Sequence, residues 1–248
     1  QSIVCKPFNI FQLAFGSYVV RALPDFVRGT EFLCFSVNQK ENLSRMATKP
    51  DKVCYRGNMY VGSKSCDIID LQKRITKRKP CLAYCTQPYG KEEEKKLILL
   101  LQKLSHELKF DLVIIYHPRD NISEFPGKPQ EHVRIINNID YVANKDQFDS
   151  EFCFAIMRHS NIGLRFLLQG IPVINLHLAK ADKLVEQDYF DGYPLLFDNI
   201  DSFRYALINA EKTIEKFFMF REQFLSKEYP EGDICNYIES YDFNKNIC

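Results

Sequence analysis

Several features that would assign this 248-residue chain to a special class are absent. It has no tryptophan, only 10 glycines and 11 prolines, and no repeat or low-complexity tract, which excludes collagen-like and disordered chains. Its 33 basic and 32 acidic residues leave a formal charge of +1, so we expect no nucleic acid held by bulk positive charge. No apolar run approaches the roughly 20 residues of a membrane-spanning helix. A soluble globular protein is therefore predicted.

The cysteine pattern indicates a reducing compartment. There are 9 cysteines, an odd count, and several of them lie in apolar, strand-like segments: Cys34, Cys81, Cys85 and Cys153. We predict buried, reduced thiols and a cytoplasmic location. Cys81 and Cys85 have no partner pair at zinc-finger spacing, so no metal site is expected. Residues 1–15 lack the apolar region of a secretory signal, and without an initiator Met we expect a processed chain or a piece of a longer one.

Strand-like and helix-like patterns alternate along the chain. Short β-branched and aromatic runs predict strands at 31–36, 52–55, 81–86, 111–116, 151–157 and 172–176. Leucines at helical spacing predict a helix at 91–109, and a terminal glycine predicts the end of a short helix at 162–168. A polar helical stretch is expected at 38–46, and further helices from about 202 to 226. Runs that are apolar on both faces are typical of parallel strands covered by helices. The fold class is therefore α/β, with a doubly wound parallel sheet.

We place a domain boundary in the basic segment near residue 75. Residues 76–248 would form a complete Rossmann-like domain, and residues 1–75 a partial N-terminal α/β segment. The segment itself, residues 73–80, is predicted to be a solvated linker. A phosphate-binding or membrane-surface patch is the alternative, and the aromatic stretch at 216–221 could dock on a bilayer or simply pack in the core.

Polar clusters follow three of the predicted strands. Because ligands bind beyond the carboxyl ends of parallel strands, we expect these clusters to converge on one crevice. The candidate binding residues are Gln87, Pro88, Tyr89 and Gly90 after the first strand, His117, Pro118 and Arg119 after the second, and His159, Ser160, Asn161 and Gly163 after the third.

Two of the clusters suggest an anion site. Ser160 and the amides of the following helix could bind a phosphate that Gly163 allows to approach closely, although Ser160 could merely cap that helix. His117, held extended by the next proline, could donate to a phosphate together with Arg119, or could be a surface histidine.

The remaining candidates have weaker support. Gln87 and Tyr89 could contact a base or ribose, or could only form a turn around Pro88. His159 is read as a packed strand-end residue with a smaller chance of a direct role. The acidic stretch at 186–192 is a carboxylate source or a plain loop.

Missing motifs exclude several enzyme classes. The chain has no Gly-x-x-x-x-Gly-Lys-Ser/Thr, no Gly-x-Gly-x-x-Gly, no Gly-x-Ser-x-Gly and no His-Glu-x-x-His. These absences disfavour a phosphate-loop ATPase, an ordinary dehydrogenase, a serine hydrolase and a zinc protease.

The order and spacing of these motifs resemble a known family. Gln87-Pro88, His117-Pro118-Arg119 and the stretch from Ser160 through Gly170-Ile171-Pro172-Val173-Ile174 resemble the nucleotide-binding half of GT-B glycosyltransferases. The His-Pro and Ser-led motifs are especially similar to bacterial sialyltransferases and polysialyltransferases, with Asn161 in place of a second serine. The strand, helix and strand of residues 32–58 are similar to the end of the N-terminal half in such enzymes, so the rest of that half would be missing.

This resemblance implies a metal-independent glycosyltransferase without a cofactor. It would move sialic acid or a related sugar from a CMP-activated donor to a cell-surface glycan, at the inner face of the membrane or in the cytoplasm. An acceptor hydroxyl would attack the anomeric carbon, a carboxylate that the sequence does not identify would take its proton, and His117 with the Ser160 helix would stabilise the leaving phosphate. Two alternatives stay open: a UDP-N-acetylglucosamine 2-epimerase-like or UDP-sugar-dependent enzyme, and a non-catalytic binding module.

Overall fold

The computed structural model divides the chain into two compact units, residues 1–62 with 223–248 and residues 63–222. It describes residues 32–34, 37–46, 53–55, 66–77, 79–88, 90–120, 122, 125–158, 160, 162–179, 182 and 192–228. Among these residues, no helix is both long enough and apolar enough to cross a bilayer.

The described part of the first unit contains a small parallel pair. Strand β1 (Phe32–Cys34), helix α1 (Val37–Met46) and strand β2 (Val53–Tyr55) follow one another, and Phe32 lies opposite Val53. The strand, helix and strand predicted here are confirmed. The domain boundary near residue 75 stays a prediction.

The second unit is built on six parallel strands. These are β3 (Cys81–Cys85), β4 (Asp111–Ile115), β5 (Val133–Ile136), β6 (Phe152–Met157), β7 (Val173–Leu176) and β8 (Leu196–Phe197), in the spatial order β5-β4-β3-β6-β7-β8. Every residue of β3, β6 and β7 is buried, as expected for parallel strands with both faces covered. The predicted doubly wound α/β sheet is confirmed.

The helices of this unit connect or cover the strands. They are α2 (Ile68–Lys77), α3 (Lys91–Leu108), α4 (Asn138–Ala143), α5 (Lys145–Glu151), α6 (Ile162–Leu168), α7 (Ile200–Ile208) and α8 (Ala210–Glu228), the last of which continues past residue 222. α3 buries Leu97, Ile98, Leu101 and Leu104 on one face. The apolar spacing predicted for this helix is thus observed, except that Leu100 and Leu108 are only half-buried.

One prediction of local structure is wrong. Residues 73–77 of the basic segment form the second half of α2 rather than a linker, and Arg74 Nη1 donates to the carbonyl oxygens of Asp149 and Phe152 at 3.0 and 2.8 Å. The helices predicted from about 202 to 226 are observed as α7 and α8, which meet at Asn209, whose φ of −102° and ψ of 47° end α7.

The aromatic stretch of α8 packs inward. Phe217 is fully buried, the ring of Phe220 lies 5.0 Å from that of Tyr193, and Arg221 Nε donates to the Leu167 carbonyl at 2.7 Å. Core packing, one of the two readings of this stretch, therefore accounts for these side chains.

Candidate functional site

The candidate site lies at the carboxyl edge of the six-stranded sheet. β3 and β6 are neighbours there, but the chain continues from β3 to β4 on one side and from β6 to β7 on the other. Such a reversal of direction opens a crevice that is the usual ligand site of doubly wound sheets. The three polar clusters found in the sequence lie in the segments that follow β3, β4 and β6.

Thr86 joins the segments that follow β3 and β4. Its hydroxyl donates to Asp120 Oδ2 at 2.6 Å and accepts the backbone N–H of His117 at 2.9 Å. The Thr86 N–H donates to the carbonyl of Ile115 at 3.0 Å, which extends the pairing of the two strands by one residue. The backbone of His117 is therefore held next to the residue that precedes Gln87.

One ring nitrogen of His117 takes part in a local hydrogen bond. Its Nδ1 accepts the N–H of Arg119 at 3.1 Å, so the proton of a neutral imidazole lies on Nε2. Burial lowers the pKa of His117, and the charge of Arg119 adds to this while Asp120 opposes it. The ring is therefore neutral near pH 7 and can donate one hydrogen bond through Nε2. Pro118 and Arg119 are exposed beside it.

Gln87 has a buried amide without a partner. The side chain is 3% exposed, and its Nε2 has no hydrogen-bond partner among the described residues. It lines a cavity of about 30 Å³ with Thr86 and Asp120, which is room for one water-sized group. Since a buried donor without a partner costs free energy, this position favours a ligand oxygen or a bound water.

Arg158 fixes the end of β6. Its Nε and Nη2 donate to Asp182 Oδ1 at 2.9 and 2.7 Å, and its Nη1 lies 3.3 Å from Glu94 Oε2 and 3.4 Å from the carbonyl of Gly90. The side chains of Arg158, Glu94 and Asp182 are 3%, 8% and 2% exposed. Burial opposes the charge on Arg158, but the hydrogen bond and charge of Asp182 raise its pKa overall.

Glu94 connects this cluster to the segment after β3. Its Oε1 accepts the Tyr84 hydroxyl at 2.7 Å and the Gln87 N–H at 3.0 Å. Burial raises the pKa of the Glu94 carboxyl, and the hydrogen bonds from Tyr84, Gln87 and Arg158 lower it in part. The carboxylate has three donors, which is what a buried ionised acid needs.

An open cleft of about 500 Å³ lies over this cluster. α3 and the segment after β7 form its walls, with Leu97, Leu100, Leu176 and Leu178 as apolar lining and Arg158 and Asp182 as polar lining. Its volume and mixed lining are typical of small-molecule sites.

The N-terminus of α6 differs from the prediction in one respect. The N–H of buried Gly163 donates to the carbonyl oxygen of Ser160 at 2.9 Å, so this amide is not directed at an anion. Ser160 itself is half-buried ahead of α6. Arg165, within α6, contacts Asp149 and donates to the Tyr141 hydroxyl at 2.8 Å.

The other predicted residues fall at the same edge or outside the described part. Pro88 is half-buried, and Gly90, with a φ of 64°, stands at the start of α3. Tyr89, His159, Asn161 and the acidic stretch at 186–191 lie outside the described residues. The structure thus joins the segments of Gln87 and His117 through Thr86, and those of Gln87 and Ser160 through Glu94 and Arg158.

Sequence reasoning missed the acidic and basic residues that tie these segments together. Glu94 shares the buried face of α3 with Leu97, Ile98 and Leu101, and an acid on an apolar face is a signal of a buried ion pair. Arg158 directly follows six apolar residues of β6. Asp120 and Asp182 carried no comparable signal.

No protein family model and no curated protein match the chain, but solved structures do. The wall teichoic acid polymerase TagF superimposes with a TM-score of 0.59 and 14% identity over 88% of this chain and 59% of its own. A second TagF structure, determined after a soak with CDPG, gives a TM-score of 0.52 and 14% identity over 79% of this chain and 51% of its own.

Two further similar structures are those of a protein bound to UDP and of a candidate epimerase. S. aureus MnaA, in a co-structure with UDP, has a TM-score of 0.52 and 17% identity over 85% of this chain and 60% of its own. A candidate UDP-N-acetylglucosamine 2-epimerase from Listeria monocytogenes has a TM-score of 0.51 and 15% identity over 86% of this chain and 60% of its own.

Identities this low show the fold alone, which is the GT-B-like fold expected from the sequence motifs. The chain spans about three fifths of the length of TagF, MnaA and the Listeria protein.

Proposed function

We propose that this chain binds a nucleotide sugar at the carboxyl edge of its sheet, as part of a UDP-sugar-dependent enzyme with a GT-B-like fold. The observation that carries the proposal is the unpaired, buried amide of Gln87 at the switch point, beside a neutral His117 with its Nε2 proton available. Both groups are donors, and a nucleoside diphosphate offers several acceptor oxygens.

We infer the uridine nucleotide from the comparisons. The MnaA structure contains UDP, and the name of the Listeria protein specifies a UDP-sugar. A uridine nucleotide is therefore our first candidate for the ligand. A cytidine nucleotide is the second candidate, because TagF was soaked with CDPG. The CMP-activated sialic acid of the sequence analysis belongs to this second candidate.

The residues would divide the work as follows. His117 Nε2–H donates to the diphosphate and stabilises the negative charge that develops on it when its bond to the anomeric carbon of the sugar breaks, while the Gln87 side-chain amide donates to an oxygen of the nucleotide. Pro88 and Gly90 belong to the segment after β3 that carries Gln87. Arg119, two residues after His117, and Ser160, after β6, would add further hydrogen-bond donors to the phosphates. Transfer to a glycan acceptor, independence from metals and cofactors, cytoplasmic location and membrane association stay predictions.

A binding titration tests this proposal. We would measure calorimetric affinities of the chain for UDP, UDP-N-acetylglucosamine, CMP, CDP and GDP, with and without magnesium. We expect UDP and the UDP-sugar to bind and to raise the melting temperature, because about a hundredfold excess over Kd adds a few kcal/mol to the free energy of unfolding. A response to cytidine nucleotides alone would move the assignment to the second candidate, and no response to any nucleotide would refute the proposal.

A matched pair of variants locates the site. Gln87 and Gln102 are both buried glutamines whose side-chain amide has one atom without a hydrogen-bond partner among the described residues. Gln102, however, lies about 16 Å along α3 from Lys91, the end of the helix next to the site, at 1.5 Å per residue. We expect Gln87→Leu to weaken UDP binding about tenfold, the effect of one lost hydrogen bond, and Gln102→Leu to leave it unchanged. Equal effects of the two substitutions would show that the Gln87 amide does not face the nucleotide.

A further inference from the structure

The buried cluster of Arg158, Glu94 and Asp182 has an unusual charge balance. Two carboxylates face one guanidinium, and all three side chains are less than one tenth exposed. Burying such a group is costly compared with apolar packing, so a buried ion cluster is weak evidence for a purely stabilising role. Its position at the ligand edge of the sheet, rather than elsewhere in the core, favours a role at the site.

The guanidinium of Arg158 is a junction between separate segments. Nε and Nη2 bind Asp182, whose Oδ2 in turn accepts the N–H of Ala179 at 3.1 Å in the segment after β7. Nη1 binds Glu94 and the carbonyl of Gly90 at the start of α3. One side chain thus fixes the end of β6 relative to the segments that follow β3 and β7.

The junction extends to the residue that we place against the nucleotide. Glu94 accepts the backbone N–H of Gln87 at 3.0 Å, so Arg158 is connected to Gln87 through a single carboxylate. Arg158 also stands two residues before Ser160 in the sequence. The two walls of the switch-point crevice are therefore held in register by the same group.

We propose that Arg158 is a positioning residue that, through Glu94, holds the backbone of Gln87 in place and thereby positions the Gln87 side-chain amide for the nucleotide. This inference rests on the proposed nucleotide site. Arg158 itself touches neither nucleotide nor sugar in this account. The planar fork of an arginine is required, because a lysine ammonium cannot bind Asp182 with two nitrogens and reach Glu94 and Gly90 with the third.

The test combines two substitutions in a cycle. Arg158→Lys keeps the charge and so avoids leaving two buried carboxylates without a counter-ion, and it is combined with Gln87→Leu. We expect Arg158→Lys to raise the Kd for UDP about tenfold and Gln87→Leu to add less than twofold in the Arg158→Lys background, although it costs about tenfold alone. If the two fold-changes in Kd multiply fully in the double variant, the inference is overturned, because a merely structural loss of affinity does not depend on Gln87.

Arg165→Lys is the matched control. Arg165 is also partly buried and paired with a carboxylate, Asp149, but its hydrogen bonds run to Tyr141 and Gln169 and not to the segment after β3. We expect the fold-changes in Kd for UDP caused by Arg165→Lys and by Gln87→Leu to multiply in the double variant. Coupling of equal size in both cycles would also overturn the inference.

Amide exchange separates this inference from the nucleotide proposal. In Arg158→Lys without any ligand, we expect the Gln87 N–H to exchange with deuterium at least tenfold faster, while the amide of Val113 in β4 keeps its rate. Unchanged exchange at Gln87 refutes the positioning role even if UDP binds. Faster exchange in a chain that binds no nucleotide refutes the nucleotide site instead.

Discussion

His117 makes the affinity for an anion depend on pH. Its pKa is lowered by burial, so at neutral pH the ring is uncharged and gains a proton only as the pH falls. A charged imidazolium binds a diphosphate more strongly than a neutral ring does. We therefore expect UDP affinity to rise as the pH is lowered from 7.5 to 5.5, measured by calorimetry.

The control for this pH dependence is His117→Gln. Glutamine can donate a hydrogen bond but cannot gain a proton in this range, so the affinity of this variant should not rise as the pH falls. A rise of equal size in both proteins would show that His117 is not the group whose protonation strengthens binding.

Ser160 tests the segment after β6. It is half-buried, so Ser160→Ala removes one hydroxyl without opening a cavity in the core. We expect UDP binding about tenfold weaker, as for one hydrogen bond, and an unchanged melting temperature. Unchanged affinity would mean that Ser160 only precedes α6 and does not contact the ligand.

Single residues show how far sequence reasoning reached in the site. Gln87, His117 and Ser160 could be proposed as site residues because each comes after an apolar strand, and strand ends can be predicted from the local sequence. The partners that fix them were not recognised. Arg158 and Glu94 are 64 positions apart, and Arg158 and Asp182 are 24 apart, so only the folded chain brings them together.

Among the helices, the end of α6 gives the sharpest stability prediction. Gly170 has a φ of 81°, and the N–H groups of Gly170 and Ile171 donate to the carbonyls of Leu167 and Phe166, the pattern of a Schellman cap. An added Cβ would lie 2.2 Å from the carbonyl oxygen of Cys66. We expect Gly170→Ala to lower the free energy of unfolding by about 3 kcal/mol, from the left-handed backbone and the clash together.

Gly127→Ala is the control for this substitution. Gly127 has nearly the same φ, 79°, but no atom of the described residues lies within 4 Å of an added Cβ, so only the backbone cost of about 1 kcal/mol remains. Urea unfolding of both variants measures the difference. Equal losses would show that the contact with Cys66 is not tight.

Elements with strong local patterns were predictable and weaker ones were not. α3 and β6 have long apolar stripes or runs, whereas α4 and α5 have six and seven residues and too few turns to show a helical period. α2 was hidden by its basic residues, although Leu71 is fully buried on its inner face. The division between α7 and α8 depends on the backbone at Asn209, which apolar spacing does not reveal.

In the molecule as a whole, the buried thiols are expected to resist modification. Burial raises the pKa of Cys81 to about 11 and that of Cys85 to about 12, and also raises the pKa of Cys153. Because the thiolate is the reactive form, iodoacetamide at pH 8 should alkylate these cysteines only as fast as the fold opens. Peptide mass spectrometry after timed pulses, with and without denaturant, checks this.

The outcome that would contradict this prediction is native labelling at the rate seen in denaturant. Such labelling would mean that the central strands β3 and β6 are accessible in the folded chain. A reaction confined to cysteines other than these three would leave the prediction intact.

The sequence by itself determined the class of the fold. Strands that are apolar on both faces, separated by helices with one apolar stripe, can bury their surfaces only as a parallel sheet between helical layers. It also determined which residues stand at strand ends, because that depends on neighbours in the chain. The tertiary structure alone decided that β3 lies beside β6, and hence that Arg158 connects Glu94 with Asp182, since such pairing depends on contacts between residues far apart in the sequence.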